Sequence, residues 1–382
     1  MRNKELLNIL SNYISDTQLL EKISIDSDMF DLVSSQKLSP LVYLVIKKNK
    51  LVIDNILEEK LRNHYILATR LDVKQKRIID DIACFCSVEK IPFAFFKGAD
   101  LKRLYNPNSE IRTMGDIDVL VPLDKKNDIV NFLLKKNENI KDFREVEEIN
   151  VGDISIELHE KIRYFGHDIL TLNDIVDNQI QDKAKYLFML IAHIIKHIMS
   201  SGCGLRQFLD VAMFIKKENS NIDYESLVCM LDNIGKLKVG LSIIYLVTKW
   251  FSVDCSCFFD RLDNYNKSEE FSDTFLNFLC SNGVFGFDDI KNVGANKMLR
   301  FKNSKFPKLR TYFYYAFPPI AYLEEIYPKL RRFKILLPYY YMCNIFRKLF
   351  KQSAKAKQFC RAINENDINS DRNKFLKSLD IF

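Results

Sequence analysis

The chain has 382 residues, more than one typical domain, so two or three packed units are expected; 47% apolar residues with only 11 glycines and 9 prolines exclude extended disorder away from the ends. Nine cysteines, an odd number with two C-x-C pairs (Cys84/Cys86 and Cys255/Cys257) and no C-x-x-C, fit neither a zinc ribbon nor a disulfide framework, so reduced and mostly buried thiols are expected. The net charge of +7 is uneven: residues 300–361 hold fifteen Lys/Arg against two Asp/Glu, so +13 sits there and −6 on the rest, a basic C-terminal region on a mildly acidic body.

The opening MRNKELLNIL is charged and amphipathic, with Leu6, Leu7, Leu10 and Ile14 at helical spacing and no apolar leader, which points to the cytoplasm. Ser39-Pro40 reads as an N-cap followed by proline at the first helical position, and a long helix is expected from about Ile53 to Cys86. Residues 1–88 thus form an N-terminal helical region, read as a cap or packing domain without chemistry of its own. The texture changes at Ile91. Pro92–Phe96 predicts a buried strand ending at Lys97-Gly98, followed by a helix over Ala99–Tyr105, a polar loop and a second strand over Ile117–Val121. Asp124 is placed to cap a helix through Leu134, and Phe143–Ile149 and Asp153–His159 resemble a hairpin turning at Asn150-Val151-Gly152.

This order describes an α+β fold: a small mixed sheet over residues 89–168, flanked by helical regions. Beyond Leu172 helices are expected at Lys183–Met199, Leu205–Lys217, and near 224–250 and 270–281, with a helical domain over 169–290 and a basic aromatic C-terminal region over 291–382. The most apolar late stretch, Ile335–Phe350, is broken by Pro338, Asn344 and Arg347, so no transmembrane segment is expected.

Chemistry concentrates in Gly115-Asp116-Ile117-Asp118-Val119-Leu120-Val121. In a strand, Asp116 and Asp118 project to one side while Ile117 and Val119 enter the core. Two adjacent carboxylates repel unless a cation neutralises them, and hard oxygen ligands suit Mg²⁺ or Mn²⁺ held together with phosphates. Taken alone, D-x-D is more often a solvated pair at a strand edge. Lys97-Gly98 at a strand-to-helix junction adds a place for a phosphate, and Ile154–His159 alternates so that Ser155, Glu157 and His159 share one face.

The run Phe95–Pro122, FFKGADLKRLYNPNSEIRTMGDIDVLVP, resembles the signature of the uncharacterised nucleotidyltransferase family within the polymerase-beta-like nucleotidyltransferase superfamily. Ser155–His159 is similar to that family's third-acid strand, Ala192–Asp210 to its His-containing helix and R-x-x-x-D helix, and Phe317–Leu349 to its C-terminal segment, so the resemblance covers roughly residues 90–350. It implies that Asp116, Asp118 and Glu157 are the metal-binding and catalytic carboxylates, and that Gly98-Ala99 helps hold nucleotide phosphates. Lys97 and Arg112 become candidate phosphate contacts, since a guanidinium grips two oxygens at once.

The implied reaction is metal-dependent transfer of NMP from an NTP to an acceptor hydroxyl on a sugar, protein or RNA, with Mg²⁺ or Mn²⁺ as cofactor. The alternatives are an inactive adaptor on the same fold and a toxin-like enzyme acting on tRNA or protein. His193 and His197, at i and i+4 on one helix, lack the glutamate of a zinc motif and are read as packed or hydrogen-bonded where the helical region meets the sheet, and with His159 as candidate nucleotide contacts. Arg206 and Asp210 are read either as a helix salt bridge or, through Arg206, as a nucleotide contact. The C-terminal aromatics and cations (Tyr312, Tyr314, Tyr315, Arg331, Arg332, Tyr339, Tyr340, Tyr341, Arg347 and Lys348) have the chemistry to grip RNA or rest on an anionic surface. The expected arrangement is nonetheless a helix pair whose aromatic face packs inward while the cations stay solvated.

Overall fold

Four helices fill the N-terminal region: α1 (Arg2–Ser15), α2 (Ser27–Ser35), α3 (Ser39–Asn49) and the 34-residue α4 (Asn55–Val88). The computed structural model describes residues 2–17, 25–136, 140–144, 148–200, 202–255, 268–281, 304–320 and 329–348, with the isolated positions 298, 301, 323, 327, 357, 360, 363 and 379. α1 buries Leu6, Ile9, Leu10 and Ile14 at helical spacing, and the Asp26 carboxylate caps α2 by accepting from Met29 N–H at 2.8 Å. α3 differs from expectation: Ser39 is its first helical residue and Leu38 occupies the cap, with no side-chain bond. Pro40 supplies the start there, because its fixed φ is preorganised for a first helical turn.

The sheet has five strands in the order β1-β2-β5-β4-β3: β1 (Ala94–Phe96), β2 (Asp116–Leu120), β3 (Ile140–Arg144), β4 (Glu148–Val151) and β5 (Ile154–His159). Only β2 and β5 run parallel. Ile117, Val119, Ile154, Ile156 and Leu158 pack with Ile78 and Ile82 of α4 and with Ile129 and Leu133 of α6 (Lys126–Lys136). One sheet face is thus the core, and alternation sends the polar residues of β2 and β5 to the other. This is an α+β fold.

Several local readings change. After Lys97 the chain makes only the four-residue α5 (Gly98–Leu101) and a 3₁₀ turn over Lys102–Tyr105. Asp124 lies inside the 3₁₀ turn Leu123–Lys125 and caps nothing, and Gly152, at φ +62°, turns β4 into β5. Residues 145–147 of the expected strand lie outside the described residues.

Two short hairpins have no counterpart in the sequence reading: β6 (Ile162–Tyr164) with β7 (His167–Leu170), and β8 (Ile175–Val176) with β9 (Gln179–Ile180). Each is closed by two consecutive positive-φ residues, Phe165-Gly166 and Asp177-Asn178, the backbone that matches strand twist.

The helices that follow are α7 (Lys183–Ile198), α8 (Leu205–Glu218), α9 (Tyr224–Asn233), α10 (Leu237–Phe251) and α11 (Glu269–Cys280). Gln36, fully buried at the end of α2, accepts from Leu205 N–H at 2.8 Å and donates to the Leu279 carbonyl at 3.1 Å, so one amide pins the starts and ends of distant helices. The chain separates into two compact units, residues 1–194 with 204–284, and residues 195–203 with 285–382. Eight described cysteines are free; Cys86, Cys203 and Cys255 are buried but Cys84, Cys229 and Cys360 are exposed, and Cys257 lies outside the described residues. Among the described residues no helix is long and apolar enough to cross a membrane.

Candidate active site

The site begins with the pairing of β2 and β5. Their parallel register sets Asp116 opposite Ser155, Asp118 opposite Glu157 and Leu120 opposite His159, so the polar residues of both strands share the face away from the core. β1 runs beside β2 with Phe96 opposite Asp118, which delivers Lys97 to the same place. Lys97 has φ +50° and ψ −127°, a backbone that a residue with a Cβ adopts at a cost of about 1–3 kcal/mol. That turn aims its ammonium at Asp118 Oδ1, 2.7 Å away.

Asp118 is the centre of the cluster. It is 1% exposed, Oδ1 also meets His159 Nε2 at 3.1 Å, and the same imidazole nitrogen lies 3.2 Å from Glu157 Oε2. Asp118, Glu157 and His159 each offer a ligand atom, all within 4.8 Å of one another. Asp118 Oδ2 is buried and has no hydrogen-bond partner among the described residues. Asp116 sits on the same strand face but is not one of that close group of ligand atoms.

The charges lean on one another. Burial works against an ionised Asp118, yet His159 and Lys97 hold its carboxyl below the usual range. Burial and the Asp118 charge push Asp116 up, with Lys97 opposing and Glu157 adding to the rise. His159 loses some basicity to burial but gains more from Asp118 and Glu157, so its pKa is raised. Lys97 likewise is raised, because Asp118 outweighs its burial. A strained lysine and an imidazole therefore stand in for positive charge among three acids.

The loop that carries Asp116 is fixed from behind by buried polar groups. Arg112 grips Asp210 of α8 with two bonds, Nε to Oδ1 at 2.6 Å and Nη2 to Oδ2 at 2.7 Å, and the Tyr105 hydroxyl donates to the same carboxylate at 2.8 Å. Arg206 does not pair with Asp210 as an i,i+4 bridge; its Nη1 donates to the Thr113 carbonyl at 2.9 Å and to its hydroxyl at 3.1 Å, and Arg112 Nη1 donates to the same carbonyl. Burial and the neighbouring Arg112 pull the Arg206 guanidinium down from its ordinary value.

α4 contributes as well. Gln75 donates to the Met114 carbonyl at 3.1 Å and accepts from Lys102 at 3.1 Å, and Lys102 also pairs with Asp72. The N-terminal region, read from sequence as a cap or packing domain, therefore holds the segment just before Asp116.

The remaining sequence candidates are placed as follows. Gly98 is buried and a Cβ there would stand 2.8 Å from Met114 Cβ, so glycine is required by the close approach of the Met114 side chain. Ala99 packs against the core cluster. The Arg112 guanidinium, a candidate phosphate contact in the sequence, is engaged with Asp210 of α8 and with the Thr113 carbonyl. His193 meets the Tyr164 hydroxyl at 2.9 Å through Nδ1, and His197 is half-buried one turn further along α7.

Sequence reasoning missed Tyr164 altogether. It lies on β6, buried, with its hydroxyl pushed up to about 12 by burial, under the influence of Lys97, Asp118 and Glu157. The available signal was the Phe165-Gly166 pair beside the apolar–charged–aromatic alternation of Ile162-Arg163-Tyr164.

A family model described as uncharacterised nucleotidyltransferase matches residues 26–252, more than half of the chain. The match starts within the N-terminal helices and leaves Phe317–Leu349 outside. No curated protein and no solved structure matches the chain.

Proposed function

The chain belongs to the uncharacterised nucleotidyltransferase family, and from that premise we propose that it transfers NMP from an NTP to a hydroxyl on a sugar, protein or RNA acceptor, with Mg²⁺ or Mn²⁺. The observation that supports this reading is the buried Asp118 carboxylate, whose Oδ2 lacks a partner among the described residues while Glu157 stands beside it and Asp116 shares its strand face. A buried carboxylate oxygen without a donor is costly, and carboxylates of this kind are hard ligands suited to a divalent cation. Asp116, Asp118 and Glu157 would hold the ion. Once bound, it neutralises charge on the transferring and leaving phosphates.

The chain's own residues supply position and charge. Lys97, fixed by its backbone turn and by Asp118, places an ammonium where the NTP phosphates would enter, a contact that a point charge makes without demanding one geometry. Glu157, 36% exposed, is the carboxylate open to an incoming acceptor, and His159 holds its Oε2. Glu157 takes the acceptor proton as the acceptor oxygen bonds to the α-phosphorus; the α–β phosphoanhydride bond breaks and pyrophosphate leaves with the electron pair.

The test is a labelled-NTP assay with Mg²⁺ or Mn²⁺ across protein, RNA and sugar-phosphate acceptors. Label is expected to transfer with the metal and not in excess EDTA. Transfer undiminished by EDTA, or full activity in an Asp116→Ala/Asp118→Ala protein, rejects the reading.

A second expected outcome follows from His159. Its raised pKa means that below this value an imidazolium occupies the space between Asp118 and Glu157 and competes with an added cation, whereas above it the competition ends. Mn²⁺ affinity, followed by calorimetry, is expected to rise with pH through and somewhat above the ordinary imidazole value of about 6.5, with proton release on binding. An affinity flat across that window shows that His159 does not compete.

A further inference from the structure

Residues 304–320 and 329–348 of the second unit turn apolar side chains outward instead of inward. Along α12 (Pro307–Ala316), Phe306, Leu309, Phe313 and Phe317 recur at spacings of three and four and are 61%, 67%, 65% and 41% exposed, while Thr311 on the other face is buried. The short α13 (Lys329–Arg332) leads to α14 (Leu337–Phe346), where Ile335 of the preceding 3₁₀ turn with Tyr339, Met342 and Phe346 form a second stripe, 88%, 62%, 52% and 52% exposed, opposite buried Asn344. Phe317 meets Tyr341 at 5.5 Å between ring centroids, and the Tyr341 hydroxyl donates to the Pro318 carbonyl at 3.0 Å, so the two segments are packed together. Of the six tyrosines that the sequence reading packed inward, Tyr312, Tyr315, Tyr340 and Tyr341 are half-buried and Tyr314 and Tyr339 are exposed; the solvent-facing stripes are made mostly of other residues.

Lys305, Lys308, Arg310, Lys329, Arg332 and Lys334 are exposed in the same two segments, which contain no Asp or Glu. Solvent-facing apolar stripes set among exposed cations, on segments that carry no acid of their own, are the composition of a helix that lies in a lipid headgroup layer. We propose that this surface docks on an anionic lipid bilayer, aromatic and aliphatic side chains entering the headgroup layer while the cations meet lipid phosphates and carboxylates.

The apolar character selects the bilayer over RNA, because Leu309, Ile335 and Met342 offer neither a stacking plane nor a charge to a nucleotide. The charge selects it over a second copy of the chain, because two such faces would bring like cations together. Docking of this kind is peripheral, and it goes beyond nucleotidyl transfer without depending on it.

The test uses the full chain with vesicles of phosphatidylcholine alone and with phosphatidylserine added, read by co-sedimentation. Binding is expected to the serine-containing vesicles, weakening as salt rises. Lys308→Gln/Arg310→Gln/Lys334→Gln is expected to weaken it on the order of 100-fold, and Phe313→Ser/Ile335→Ser to lower it at every lipid composition. All five side chains are exposed, so thermal melts matching the parent show that the fold is intact. No binding, equal binding to neutral vesicles, tighter binding to poly(U) RNA than to the serine-containing vesicles, or self-association abolished by Phe313→Ser/Ile335→Ser without vesicle binding overturns the proposal.

Discussion

Asp118→Asn is expected to lower nucleotidyl transfer on the order of 10³-fold or more, the loss that follows when several kcal/mol of charge stabilisation is withdrawn from a transition state. The amide keeps the shape of the side chain and can still accept from Lys97 and His159, so the protein is expected to fold. It no longer supplies the negative charge that holds a cation. Asp118 is 1% exposed against 36% for Glu157, and a half-open carboxylate is more readily replaced by water. Glu157→Gln is therefore expected to lose less activity than Asp118→Asn. The comparison is read from initial rates on the acceptor found in the labelled-NTP assay, alongside a thermal melt. A folded Asp118→Asn protein with the parent's rate would remove Asp118 from the mechanism.

Asp210→Ala is expected to cost about 3–5 kcal/mol of folding stability, the largest stability effect at the site. Its carboxylate receives both bonds of Arg112 and the Tyr105 hydroxyl in a place where Arg112 and Asp210 are each under a tenth exposed. Removing it leaves a buried guanidinium without its anion and a second one, Arg206, nearby on the same Thr113 carbonyl. The measurement is the midpoint and extrapolated free energy of urea unfolding. Asp210→Asn keeps the acceptor oxygen but not the charge and is expected to fall between parent and alanine. A loss under about 1 kcal/mol for Asp210→Ala would place the pair among ion pairs that contribute little. Activity is expected to fall as well, because Thr113 and Met114, held by Arg206 and Gln75, lead directly into Asp116.

The acidic strand was legible because its signal is local. Alternation in Asp116–Leu120 and Ile154–His159 fixes which residues share a face, whatever the strands pack against. The long helix α4 was also legible as a helix, and its apolar stripe carried a further clue: Asp72 and Gln75 fall at buried stripe positions, where a polar side chain needs a partner. Which partner could not be read, since Lys102 and the Met114 carbonyl reach those positions only through the fold.

Arg112 and Arg206 illustrate the same limit. An Arg and an Asp four apart on a helix predict each other, but α8 packs so that Asp210 faces a third residue nearly a hundred positions earlier. The Lys97 turn is a further case: Lys97-Gly98 was legible as a strand-to-helix junction, but not that the lysine bears the positive φ while Gly98 clears Met114.

By itself, then, the sequence determined what short-range sterics and periodicity decide: an α+β fold, a sheet with one apolar and one acidic face, and the identity of Asp116, Asp118, Glu157 and His159 as residues of that face. Tertiary structure alone decided that β2 and β5 lie side by side and parallel, so that Asp118 and Glu157 come opposite each other with His159 between their oxygens. It also decided that two apolar stripes near the C-terminus stay uncovered. Strand pairing and burial depend on contacts between residues far apart in the chain, and periodicity records only that a face is apolar or charged, not what is brought to meet it.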